Sequence, residues 1–396
     1  MSGIKIFEPS RIGQMSIGGK VIGYAILIFW SVVVVFPMYW LLITAFKLPP
    51  DVNNGPTFLP WLDFVPSLHA WENILFRDAD TTYGSYLNSI IISFLSTFIA
   101  IAVGSLAAYA LVRITYQPRF GTIFLFVMCL LASIISVIVI DVEWYTSSVV
   151  GLVLFFFFVR ALQRIKTESV IPKILLPLII LALLGVLLFV DGIPKNIISY
   201  LIIILPIVIG VTVFLLIKGK LSNADILFWV ISQRILPPIV VVLPIYIMFQ
   251  KVGLLDTHFA LVITYAVVNL PIVVWIMYDF MNKIPIDLEE SAQLDGASKL
   301  RILWEVVLPL SKQGLAATTL LILILSWNEY LLAAFLSTSN SNTMPIMVAA
   351  QITQERGIYW WNMAVVIILM ILPVIAMAFA LQKFIIKGVL MGAVKG

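Results

Sequence analysis

The 396 residues are 62% hydrophobic and only 11% charged, with a mean hydropathy of +1.11. Soluble domains carry about 25% charged residues, so this composition excludes an ordinary soluble enzyme and describes an all-α, polytopic membrane protein. A net charge of +4 dispersed among loops does not point to nucleic acid; the single cysteine, Cys129, forbids an intramolecular disulfide; and two histidines, His69 and His258, argue against a His-rich metal site.

A helix needs about 20 apolar residues to cross the hydrocarbon. Ten stretches qualify, near 21–46, 87–112, 121–140, 146–163, 172–190, 197–217, 227–249, 258–281, 314–336 and 364–386. The first is too long for a signal-peptide core and lacks a cleavage signal, so it reads as a retained helix. With the N-terminus inside, most of the 24 Lys and Arg fall in inner segments. Outer segments hold only Lys47, Arg77, Lys195, Lys251 and Arg356, while Arg234 sits near a helix start on the inner side. This asymmetry sets the orientation, and an even number of spans puts both termini in the cytoplasm.

The outer segment 47–86 is rich in Pro, Asp and Trp and reads as an ordered periplasmic excursion. An interfacial aromatic belt would explain its tryptophans as well. In the second span Ala100, Gly104 and Ala108 form a small-residue stripe suited to close helix packing. Near the start of the seventh come Gln233, Arg234 and Pro237-Pro238; Arg234 there reads as a pathway residue or as one that snorkels to the inner surface. In the eighth, Asn269 precedes Pro271, which frees a backbone carbonyl.

The stretch Asp287–Pro309 is the longest charged, amphipathic run. Asp287 is a good N-cap with Glu290 three residues on, and Glu289 and Glu290 suit the first turn of a helix. Asp295-Gly296 signals a tight turn. Ser298 can cap a second short helix, which Pro309 follows. Small residues at Ser291, Ala292, Gly296 and Ala297 would let the turn enter a partner's groove; a helix lying on the lipid surface is the alternative. Trp327, Asn328, Glu329 and Tyr330 then place hydrogen-bonding groups and rings inside the ninth span, as a saccharide pathway requires. Bonding to neighbouring helices is the alternative use. The outer loop 337–363 is polar and then aromatic, from Ser337–Thr343 to Tyr359-Trp360-Trp361.

Glu290-Ser291-Ala292, then Gly296, then Val306-x-Leu308-Pro309 resembles the cytoplasmic EAA loop of ABC importer permeases, with Ser for one Ala, Val for Ile, and the spacing intact. Gly104-Ser-Leu-Ala-Ala-Tyr-Ala110, Leu254-Leu-Asp-Thr257, Trp327-Asn-Glu-Tyr-Leu331 and Met391-Gly-Ala-Val-Lys-Gly396 extend the resemblance to the second permease of the maltose-transporter type. It covers 20–116 and about 223–396. It implies a type I importer permease fold, with an ATPase-docking loop comprising Glu290, Ser291, Ala292, Asp295, Gly296, Ala297, Leu308 and Pro309. It further implies an ATPase-facing tail with Met391, Gly392, Lys395 and Gly396, and an outer loop that enters a solute-binding protein. The translocation pathway is expected at Asn269, Trp327, Asn328, Glu329 and Tyr330.

The departure is 117–222, where four extra apolar segments enter between the usual second and third helices. A bland lipid-facing appendage is the simplest reading; a role in partner choice or lipid contact is the other. The organisation expected is thus 1–116, the insert 117–222, and a core permease domain 223–396. Extended second permeases of this kind are similar to those of α-glucoside importers.

No phosphate-binding G-x-x-x-x-G-K-[ST] loop occurs; Gly18-Gly19-Lys20-Val21 lacks the spacing and the hydroxyl. The chain is therefore expected to carry no catalytic residues, metal or cofactor, with ATP and Mg used by partner subunits. Expected partners are a second permease, two ATPases, a periplasmic sugar-binding protein, a di- or oligosaccharide, and the lipid of a bacterial inner membrane. A rival class is an ion-coupled carrier, for which Glu329 is the one candidate carboxylate. A membrane enzyme would need acid and base groups at the membrane edge, where Asp141 and Glu143 are better explained as a solvated loop.

Overall fold

In the computed structural model the described residues are 17–115, 117–140, 143–164, 195–217, 219–353 and 357–393. The expected span at 172–190, Asp141, and the tail residues Lys395 and Gly396 lie outside them. Among the described residues six helices are long and apolar enough to cross a membrane, or up to eight if each of two sharply bent pairs counts as one span. The expected fourth span is a shorter apolar helix, Thr146–Arg160.

Two compact units divide the chain. The first holds residues up to Leu87 and Thr343–Ala376. It contains α1 (Ile17–Thr44) and the folded segment after it. There Ala45, Ala70 and Ile74 pack with Met344, Met347, Trp361 and Val365. The segment is ordered by specific bonds rather than by aromatic anchoring alone. Buried Lys47 donates to Thr57 O at 2.6 Å and sits over the Trp40 ring. Burial lowers its pKa, opposed by Asp51 and Asp63.

The second unit holds Asn88–Asn342 and the residues from Met377 on. Its centre joins α2 (Ala79–Arg113) to the later helices: Ala100, Ala108 and Tyr109 pack with Ala266, Val273, Met277, Ile302, Val307 and Ile322. The small-residue stripe has the packing purpose expected of it. A Cβ on Gly104 would lie 2.5 Å from Val273 Cγ1, so only glycine lets these helices approach.

Among the described residues the extra block comprises α3 (Phe120–Ile140), α4 (Trp144–Arg164) and α5 (Lys195–Leu216). Leu125, Cys129 and Phe214 form its core, flanked by Phe155 and Phe158. Ser133, Ser136 and Ser147 tie α3 to α4; Ser147 Oγ donates to Ser133 O at 2.8 Å. The chain enters and leaves this block at one pinch: Phe120 N–H donates to Gly219 O and Leu221 N–H to Pro118 O, both at 2.9 Å. Just beyond, Asn223 Nδ2 donates to Leu111 O and Ile114 O, capping the end of α2. The end of α2 is therefore joined directly to the helix that starts at Asn223, across the whole intervening block.

The seventh expected span is two helices, α6 (Asn223–Ser232), continued to Ile235 by a 3-10 turn, and α7 (Pro238–Val252), bent by 89°. Proline at 237 and 238 forces Leu236 into extended backbone, and α7 restarts with Pro238 in its first turn. Next come α8 (His258–Asn282), α9 (Asp287–Leu294), α10 (Lys299–Leu310), α11 (Lys312–Trp327) and α12 (Leu331–Leu336). The ninth expected span is thus broken after Trp327. Two short segments of the first unit, α13 (Met344–Ala350) and the β1 (Ile352–Thr353) and β2 (Gly357–Ile358) pair, precede α14 (Trp360–Ala393).

Candidate functional site

The amphipathic loop is built on α9 and α10. Asp287 is not its N-cap: Ile286 holds that position, without a side-chain cap, and Asp287 lies in the first turn with Glu289 and Glu290. The reason lies in packing. Glu289 points inward, 2% exposed, and receives Arg113 Nε at 2.6 Å and the Tyr109 hydroxyl at 3.0 Å. Arg113 also donates through Nη2 to Met281 O at 3.4 Å, in the last turn of α8, and to Ile284 O at 2.8 Å, just past its end. One guanidinium therefore joins the ends of α2 and α8 to the first turn of α9.

The turn matches its sequence. Gly296 has φ +83°, Gly296 N–H donates to Gln293 O, and Ala297 N–H to Ala292 O, which is a Schellman closure. Ser298 Oγ accepts from Arg301 N–H and caps α10 as expected. Pro309 does not follow α10 but lies within it. A π turn over Leu303–Val307 carries Leu308 N–H to Leu303 O, one residue beyond the usual partner, just ahead of the donor that proline lacks.

The loop has two faces. Ile302, Leu303 and Val307 are buried in the core, with Ala292, Ala297 and Leu308 half-buried against it. Glu290, Ser291, Asp295, Gly296 and Pro309 face outward, beside exposed Leu300, Trp304 and Leu294, the last 90% exposed. The small residues thus serve both sides: some let α9 approach its own bundle, others keep the outer turn lean.

Within the bundle, Asn269 is buried; its Nδ2 donates to Ser326 Oγ at 3.0 Å and its Oδ1 accepts from Arg234 Nη2 at 3.1 Å. Arg234 is thereby tied into the bundle interior. Trp327 is 1% exposed, and Asn328 donates to Ile324 O of its own helix. Glu329 is half-buried, and its Oε1 accepts from Leu332 N–H at 3.0 Å in the first turn of α12. Tyr265 donates to Glu329 O, and Tyr330 is exposed. The structure brings Asn269 and Arg234 together and sets Glu329 on the wall of a cavity that Arg234 also lines.

On the opposite loops, Asp256 adopts left-handed backbone, φ +58°. Its carboxylate accepts from the N–H groups of Thr338, Ser339, Asn340 and Ser341 and from the hydroxyls of Thr338, Ser339 and Ser341. Asn88 adds two bonds, to Asn340 O and Asn342 O, and His258 holds Asn88 at 2.7 Å. Burial raises the Asp256 pKa, but the N–H groups of Thr338, Asn340 and Ser341 and the Thr338 hydroxyl outweigh it, leaving the carboxyl well below its usual range. A depressed folded pKa means that the contribution is complete above about pH 4, where an unfolded Asp is ionised. It is lost only as pH falls through the lower folded value. Amide exchange at 338–341, corrected for intrinsic rates, should therefore show unchanged protection between pH 7 and 5, whereas Asp256→Ala should lose protection at all four amides. Equal protection in both proteins would show that the cage does not hold the loop.

Sequence reading missed Arg113, Tyr109 and the inward turn of Glu289. It singled out the Leu254-Leu-Asp-Thr257 motif without a role for Asp256. Met391 and Gly392 lie in the last turn of α14.

A membrane bundle that presents such a loop defines the permease class of binding-protein-dependent transport. The family model for the inner membrane component of binding-protein-dependent transport systems matches residues 202–390. A putative ABC transporter permease of a Caldicellulosiruptor species is 31% identical over 50% of this chain and 73% of its own length. The chain belongs to this family. The trehalose/maltose permease of Thermococcus litoralis is 32% identical over 45% of this chain; the chain spans 64% of that protein, under two thirds of its length. The fold is shared with a bacterial ABC transporter for the acidic polysaccharide alginate, at TM-score 0.52 and 17% identity, over 92% of this chain and 95% of that one.

Proposed function

We propose that this chain is one of two permease subunits of an ATP-driven saccharide importer in a bacterial inner membrane, with both termini cytoplasmic. The observation that carries this reading is the two-faced loop α9–α10. Its inner face is locked to α2 and α8 through Arg113, and its outer face offers a lean turn ringed by apolar side chains. Such a loop is a lever: a partner ATPase that binds it in one state more tightly than in another shifts the bundle by that difference in affinity. ATP and Mg belong to that partner. The tail Met391–Gly396 is proposed to reach it as well. The caged loop 338–342 is proposed to meet a saccharide-binding protein, since the cage holds its Ser339-Asn340 tip in one exposed shape.

The substrate class is proposed from relatives named as trehalose/maltose, trehalose and sulfoquinovosyl glycerol permeases. An α-glucoside fits the extended second-permease organisation. The block 117–222 is proposed as a self-contained insert, supported by the pinch at Pro118 and Leu221. The rival reading is an ion-coupled carrier that uses Glu329 as its coupling carboxylate.

The test is co-purification and uptake. The chain should come down with a second permease, an ATPase and a binding protein, and uptake in vesicles should stop when the ATPase's phosphate-binding lysine is replaced. Uptake that survives that replacement but not Glu329→Gln would favour the carrier instead.

A further inference from the structure

Arg234, Gln233 and Glu329 line a cavity of about 290 Å³ whose other walls are apolar, from α7, α8 and α12. It opens where two expected spans are broken, at Leu236–Pro237 and at Asn328–Tyr330. A cavity of this size lies at the lower end of the range for small-ligand sites. Its charged groups are held by the fold. Ser326 and Asn269 orient Arg234 from behind, and Glu329 is fixed through Leu332 N–H. Among the described residues the guanidinium makes one hydrogen bond, through Nη2, and Glu329 Oε2 makes none. An ionisable pair set at helix breaks in a transport bundle is costly unless it is used.

We infer that Arg234 and Glu329 together form a saccharide-binding site in this subunit, selective for uncharged polyhydroxyl ligands. This rests on the permease reading and assigns its substrate contact. The argument is one of complementarity. A guanidinium presents a fork of donors only, and a carboxylate acceptors only. Adjacent sugar hydroxyls supply both, each accepting from Arg234 while donating to Glu329. The opposed charges cancel over the cavity, so an acidic sugar gains little from Arg234 that Glu329 does not take away. Asn269 is then a positioning residue, oriented toward Arg234 rather than toward the ligand.

The test uses the whole importer complex, with Cys129→Ser removing the native thiol and Val241→Cys placing a reporter on the cavity wall. N-ethylmaleimide labelling is followed with maltose, trehalose or a diuronate as the probe. Maltose or trehalose should slow labelling and the diuronate should not. Arg234→Gln should raise the concentration for half-protection about tenfold or more. Glu329→Gln should weaken protection by the neutral sugars and create protection by the diuronate. Labelling of Arg234→Lys at the unprotected rate reports that the cavity is still formed. Equal protection by the diuronate in the unmodified site, or no protection by any probe, overturns the inference. Co-purification of the ATPase with the chain is scored separately, so failure of the importer reading and failure of this site are told apart.

Discussion

Arg113→Ala is expected to be the most destabilising single substitution in the coupling region, costing about 3–5 kcal/mol, the range for removing one partner of a buried ion pair. The Arg113 side chain is 13% exposed and that of Glu289 2%, so water cannot take over either role. Truncation strands the Glu289 carboxylate with Tyr109 alone and frees the carbonyls of Met281 and Ile284. Because the same guanidinium binds α2, α8 and α9, the loop should come loose as a unit. The detergent-solubilised complex should melt lower, and residues near Lys283–Glu290 should become open to protease. Replacing both partners by apolar residues, Arg113→Met with Glu289→Leu, should recover much of the stability, since no charge is then left buried. The pair would show a large coupling energy in a double-mutant cycle. An unchanged melting curve for Arg113→Ala would mean the pair is not a structural clamp.

Gly296→Trp is expected to abolish ATPase capture and uptake while leaving the chain inserted and folded. Its φ of +83° costs an L-residue about 1–2 kcal/mol, and no atom lies within 4 Å of where a Cβ would stand. The indole would project outward, into whatever groove receives the turn. Gly296→Ala separates the two effects: it carries the backbone cost without the bulk, so it should retain the ATPase and much of the uptake. If alanine is as damaging as tryptophan, backbone strain rather than docking explains the loss. If tryptophan is tolerated, this turn does not enter a cleft.

The sequence by itself settled the solvent and the local turns. A chain this apolar must satisfy its backbone within helices. The Gly296 turn and the Ser298 cap followed from chemistry acting over three or four residues, and the stripe Ala100, Gly104, Ala108 announced a close helix contact. Signals over longer distances were not legible. Asp287 and Glu289 are both acidic residues of a first turn, and nothing local says which is turned inward. That was decided by Arg113, 176 positions away. The apolar run through 227–249 counts as a span by hydropathy, yet Pro237-Pro238 breaks it, and the break together with the one after Trp327 opens the cavity of Arg234 and Glu329. Asp256 looks like any loop carboxylate until the fold brings four consecutive amides of 338–341 around it. Local rules depend on hydrogen bonds between near neighbours and can be read along the chain. The pairing of charges and the breaks that matter depend on which helix faces meet, and only the packed bundle decides that.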